Sequence, residues 1–308
     1  MPISLTKWKK KNFLQPLIDE LDDLAAGIPA WDSINERPFC LCAYLIACFG
    51  DMPAVAKLMC MKGPGGKRPC RACNILGSRH PNGKYYAALN RPFADNPEPY
   101  DPLNLPRRTH AEYLEQASQV RSAPSDTVED DRGTRFGINA LSPLVDVPSL
   151  EFPTSFPHDF MHLMFQNVIL TLLKLWTRSG NYWDFGTGCE KYLIGKTAWD
   201  AIGEACAASG DTIPSVFGCR VPNLAENNSF VSAEARHLFV TQLAPALLHG
   251  EFKHQSYYEH FVRLVQLINL CTAFEITNTG LEEVRQGFAQ WVQDYERSVI
   301  LFNIAALE

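Results

Sequence analysis

Two thiols two residues apart can face one tetrahedral ion, and Cys70-Arg-Ala-Cys73 has that spacing. The surrounding stretch, residues 62–108, is rich in Gly, Pro, Asn, Arg and Lys and too polar to build a core of its own. A zinc ion would give such a segment a reason to fold. One cysteine pair is half a site, and Cys60, His80, His110, His158 and His162 are the candidates for the remaining ligands. His158 and His162 stand four apart at the start of a helical pattern, which lets both face one ion. The plainer alternatives are two free thiols and histidines that only hydrogen-bond. A redox Cys-x-x-Cys would need a thioredoxin-like strand before it, and none is legible.

The best single carboxylate is Asp51, in Gly50-Asp-Met-Pro-Ala54. It follows an almost unbroken apolar run, Phe39–Phe49, which reads as a buried strand with a possible helical portion. At the end of such a strand Asp51 can ligate a divalent metal. It can equally serve as an ordinary helix N-cap, with Pro53 in the first turn of a helix over 52–61. No Ser/His/Asp elbow, phosphate-binding loop or dinucleotide fingerprint is present.

The elements that must position these groups follow from periodicity. Leu14, Leu17, Ile18, Leu21 and Leu24 lie at helical spacing, with Gly27 as a stop. Residues 62–108 read as irregular, 109–122 as a short helix, and the acidic 123–134 as a mobile loop. Short extended pieces between prolines fill 135–157. Residues 159–176 form an apolar core helix, 191–208 a further helix, and 209–230 a loop. Helices over 231–248, 256–275 and 279–302 close the chain, with Ser232 and Ser256 as caps and Thr279 heading a capping box with Glu282. Pro245 is expected to kink the first of these three.

Composition bounds the class. The 308 residues are 46% hydrophobic and 20% charged, with 19 Gly and 21 Pro. That excludes a wholly disordered chain, a collagen and a coiled coil. No apolar run reaches membrane-spanning length and no signal-peptide core follows the N-terminus, so the protein reads as intracellular. Ten cysteines, several inside apolar runs, read as reduced thiols. Charge is uneven: residues 1–91 carry 13 Lys+Arg against 7 Asp+Glu, and residues 92–308 carry 15 against 27. Lys7–Lys11 and the cluster from Lys62 to Arg91 can hold a phosphate backbone or form a solvated basic face.

Several motifs in order resemble the CACTA (En/Spm-type) transposases, in particular those of fungal genomes. They are Phe13-Leu-x-Pro-Leu-Ile-Asp-Glu-Leu21, Gly50-Asp-Met-Pro-Ala54, Pro69-Cys-Arg-Ala-Cys-Asn-Ile75, Arg108-Thr-His110, and Ser155-Phe-Pro-His-Asp-Phe-Met-His-Leu163 followed by Asn167. The stretches from Tyr257-Tyr258 to Leu267 and from Gly287-Phe288 to Glu296 are similar too. The resemblance implies a DDE-type nuclease on an RNase H-like fold, in which acidic residues hold two Mg²⁺ ions for in-line attack on DNA phosphate. It implies Asp51 as a catalytic acid, Cys70 and Cys73 with His162 and His158 as zinc ligands, DNA as a partner and the nucleus as location.

The family's first catalytic acid is expected upstream of the Phe-Leu-x-Pro-Leu helix and a later glutamate beyond the last helix. The expectation is therefore a fragment or decayed copy of a transposase, inactive alone. Its fold class is α+β, mainly helical: a partial RNase H-like core segment over 1–61, a zinc-knuckle and basic insertion over 62–122, a loop-rich linker over 123–158 and a helical region over 159–308. An absent first strand would leave a sheet edge unpaired. The alternatives are a non-enzymatic zinc-dependent module that binds DNA or full-length transposase, and a product without function.

Overall fold

A computed structural model describes residues 11–79, 85–86, 88–91, 98–178, 190–226 and 231–297. The protein is mainly helical, with two small antiparallel sheets of two strands each among the described residues. The chain divides into two compact units, one of Met1–Pro99 and Leu105–Asp159, the other of Tyr100–Asn104 and Phe160–Glu308. No described helix is long and apolar enough to cross a membrane.

The first unit opens with helix α1 (Lys11–Ala26). It turns Ile18 fully inward and rests Leu14 and Leu21 on the core. Gly27 stops it at φ +99°, a backbone angle that disfavours side chains. The hairpin β1 (Ile28–Asp32) and β2 (Arg37–Leu41) follows, with Ile28 opposite Leu41 and Asp32 opposite Arg37. The Asp32 carboxylate accepts from the amides of Ile34 (3.0 Å) and Asn35 (3.1 Å), which fixes the turn.

The apolar run from Phe39 to Phe49 departs from the buried strand expected of it. Only its first residues pair, in β2, and Phe39, Tyr44, Ile46 and Phe49 are exposed, Ile46 by 74%. Apolar residues form a buried strand only when two faces of neighbouring structure cover them, and here the ladder has one partner.

Helix α2 (Met52–Leu58) starts where expected, with Asp51 as its N-cap, and buries Val55. The two-residue strands β3 (Ser78–Arg79) and β4 (Tyr85–Tyr86) pair within the irregular segment. Helix α3 (His110–Arg121) is capped by Thr109, whose hydroxyl accepts from the Glu112 amide at 3.2 Å. Residues 123–134 are not a mobile loop. Most of them form helix α4 (Asp126–Phe136), capped by Ser125 and closed by Gly137 at φ +74°. Acids in its first turn and Arg135 in its last complement the helix dipole, and this outweighs the polar composition. The core gathers Val55, Met59, Tyr113, Ile138, Phe152 and Phe156. Tyr113 stacks on Phe152 at 4.5 Å, and its hydroxyl donates to the Met59 carbonyl at 2.6 Å.

The regular structure described in the second unit is all helical. A π-helical turn (His162–Val168) runs directly into α5 (Ile169–Thr177), and α6 (Lys196–Ser209) follows. Helix α7 (Ala233–Leu238) passes through a second π-helical turn (Phe239–Leu243) into α8 (Ala244–Leu247). Pro245 sits in the first turn of α8, and the widened turn before it takes up the disruption a proline brings. Helices α9 (Gln255–Thr272) and α10 (Asn278–Tyr295) form the closing hairpin. Their caps differ from the expected ones: His254 precedes α9, and Thr277, not Thr279, accepts from Gly280 at 3.0 Å. Gly287 lets the two helices approach closely, because a Cβ there would collide with Leu267.

Candidate metal centre

The Cys70–Cys73 turn is built from outside itself. The backbone of residues 72–74 pairs with the 105–108 segment: Arg108 N donates to Ala72 O at 3.0 Å and Asn74 N to Pro106 O at 2.6 Å. Lys62 N donates to Gly137 O at 2.9 Å, which ties the start of the loop to the end of α4. Gly137 is required at this junction, since a Cβ would lie 2.6 Å from the Arg68 carbonyl oxygen.

Two buried arginines lock the turn further. Arg71, between the cysteines, donates from Nε to Phe156 O at 2.9 Å and from Nη2 to Pro157 O at 2.6 Å. Arg108 donates from Nε to Cys70 O at 3.1 Å and from Nη2 to Phe136 O at 2.9 Å. Arg71 thereby fixes the residues immediately before His158. The Asn74 side-chain amide adds a bond to the Glu112 carboxylate at 2.9 Å.

The result is a contact among three donors. Cys70 shares hydrogen bonds with Cys73 and with His158. The bond from Cys73 holds the Cys70 thiol down at about 4. Burial opposes this, while His158 and the amides of Ala72 and Cys73 assist. The Cys73 thiol is pushed up, first by that same bond and then by burial. Burial lowers the pKa of both guanidiniums, while the nearby Cys70 sulfur favours their charged forms. Thiols and an imidazole are ligand types that suit zinc, and Cys70 touches one of each, Cys73 on one side and His158 on the other. Among the described residues, no group of three or more His, Cys, Asp and Glu side chains stands close enough together to hold a metal ion.

The other sequence candidates lie elsewhere. His162 belongs to the second unit, at the start of its first π-helical turn, where its carbonyl accepts from Asn167 Nδ2 at 2.6 Å. His110 Nδ1 accepts from Phe152 N at 2.9 Å, so that nitrogen is engaged in the fold. Cys60 is buried beside Tyr113, directly after α2. His80 lies outside the described residues. Asp51 Oδ1 accepts from the Ala54 amide at 2.6 Å, the bond of an N-cap.

The basic cluster is largely consumed by the fold. Lys62 pairs with Asp130 at 2.8 Å, Arg68 donates to the carbonyls of Arg135 (2.8 Å) and Asn74, and Arg71 is buried. Lys67 and Arg79 remain exposed, while Lys84 and the side chains of Lys7–Lys11 lie outside the described residues. Sequence reading missed Arg71 and Arg108 as staples, because an arginine in a polar loop carries no mark of burial. Comparisons with protein families, curated proteins and solved structures find no match for the chain.

Proposed function

We propose that this chain is a transposase-derived binding module, related to the CACTA-type DDE transposases and inactive as a nuclease on its own. Its first unit is held together by zinc at Cys70, Cys73 and His158. The observation that carries this reading is the contact of Cys70 with both Cys73 and His158, brought from the far end of the unit and anchored by Arg71. Bound there, zinc would supply a cross-link between the two sulfurs and the imidazole. The protein's own part is to hold both thiols and the imidazole at one place.

Two-metal DNA cleavage on a partial RNase H-like core needs several carboxylates around the ions. Asp51 is engaged as a cap, and no acidic group is assembled around it among the described residues. We therefore read Mg²⁺ chemistry as a property of intact relatives. DNA, the family-implied partner, would meet Lys67 and Arg79. A second reading, pairing with full-length transposase, is favoured by the exposed apolar side chains Trp31, Phe39, Ile46 and Phe49.

Metal analysis of the purified chain tests the core of the proposal. About one zinc per chain is expected, lost in Cys70→Ser and in His158→Ala; unchanged zinc in Cys70→Ser would falsify it. His162→Ala and His80→Ala then locate the fourth donor. Nicking assays with Mn²⁺ should give equal background for the chain and Asp51→Ala, and a loss confined to the variant would make the chain a nuclease. A DNA titration against salt should show a shallow slope, about two phosphates' worth.

A further inference from the structure

Away from the candidate centre, Cys40 and Cys42 bring a second pair of sulfurs together. Both cysteines are exposed. Cys40 lies in β2 and Cys42 follows just after its end, and the sulfurs of both sit against Gly27. Across the hairpin Cys40 stands opposite Pro29. Gly27 has no side chain, and a Cβ built there would collide with Cys40 Sγ and lie 3.1 Å from Cys42 Sγ. The glycine therefore opens a niche that both sulfurs share, and the two are within hydrogen-bonding reach of each other. The niche is braced by Gly27 N donating to Asp23 O at 2.9 Å and Ala43 N donating to Leu24 O at 3.1 Å.

We propose that Cys40 and Cys42 form an exposed dithiol that closes reversibly to a disulfide by exchange with a small-molecule disulfide. One protein thiolate attacks the small disulfide, giving a mixed disulfide and releasing one small thiol. The neighbouring protein sulfur, after losing its proton, attacks the protein sulfur of that mixed disulfide, and the small sulfur leaves as the second small thiol. Two protein S–H bonds and one small S–S bond become one protein S–S bond and two small S–H bonds. The protein loses two electrons and the small disulfide gains them.

Geometry sets how reversible this is. Residues two apart on a strand are separated by about 6.6 Å between Cα atoms, close to the ~7 Å limit for a bridge. A disulfide at that limit is strained and exposed, the combination that marks labile, regulatory bonds rather than structural ones. Local loss of hydration in the shared niche and the neighbouring sulfur also raise the Cys42 thiol above its ordinary range, so exchange accelerates as pH rises.

The test is to incubate the reduced full chain with oxidised glutathione, trap remaining thiols by alkylation and map the peptides by mass spectrometry. The Cys40–Cys42 peptide should lose two hydrogens, escape both alkyl groups and recover both after mild reduction. Cys40→Ser and Cys42→Ser should instead each carry one glutathione on the remaining sulfur. Glutathione on both sulfurs of the natural chain, or closure of either onto Cys48, would overturn the proposal, as would an unmodified pair. Gly27→Ala should slow closure at least ten-fold. If that variant does not fold, phenylarsine oxide on the natural chain decides the same point. One arsenical should block both thiols, and two or none counts against it.

Discussion

In the second unit, 28 buried apolar side chains join in one cluster among the described residues, and in the first unit 12 do. The larger cluster is made by helices packing on helices, with Trp176 set edge-on against both Phe252 (5.1 Å) and Phe261 (5.5 Å). The first unit fills its shortage of apolar contact with directed bonds: Arg71, Arg108 and Arg68 reach main-chain carbonyls across long stretches of sequence. Bonds of this kind are specific in geometry but leave buried charge to be balanced, and the Cys70 sulfur is one of the groups that balances it. A unit made this way should depend on the state of its cysteines far more than one made of packed leucines.

The sharpest way to break that contrast is metal removal. If zinc occupies the Cys70 site, chelation removes about 10 kcal/mol of binding free energy from the first unit. Hydrogen exchange should then show protection lost over 51–158 and kept over 160–297. Uniform loss in both units, or in neither, would end the contrast. Next in size, Phe152→Ala should cost about 3–5 kcal/mol. It empties the stack with Tyr113 and Phe156, and calorimetry should show the first unit melting earlier with the second unchanged. In the second unit, Gly287→Ala should cost about 1–3 kcal/mol by forcing α9 and α10 apart against Leu267.

The smallest effect is the pH response of the second unit. Burial holds His260 below its ordinary 6.5, and the neutral ring donates from Nε2 to Trp291 O at 2.9 Å. A depressed folded pKa means that its stabilisation is complete above pH 6.5 and declines as pH falls below it. In the metal-free first unit the window is wider. Cys70, held at about 4 against an ordinary 9.0, contributes fully above 9 and less and less as pH falls toward 4. Cys73 moves the other way, and its contribution fades only as pH rises past its ordinary 9.0. Denaturant melts of the two units across pH should separate these slopes.

Caps were legible in part. Asp51 before Pro53 and Ser232 before α7 stand where spacing puts them, because a cap is a contact between residues three apart, whereas α9 and α10 are capped two residues before the expected Ser256 and Thr279. Ser125 followed by acids and closed by Gly137 is the same signal, and an acidic composition hid it. The apolar run after Pro38 misled for the opposite reason: hydrophobicity says that a side chain would be better covered, and whether anything covers it depends on distant residues. Of the candidate site, the Cys-x-x-Cys spacing and His158 were legible. The arginines that bring these residues together were not, since their partners are carbonyl oxygens that every residue carries.

The bonds from Arg71 to Phe156 and Pro157 also set an order of events during synthesis. The Cys70–Cys73 loop leaves the ribosome long before the segment that Arg71 grips. Until Pro157 emerges, two thiols and a guanidinium wait in an unfinished chain, open to wrong neighbours. A pause in translation just beyond His158 should therefore raise the yield of correctly folded protein, whereas one placed just after Cys73 should lower it.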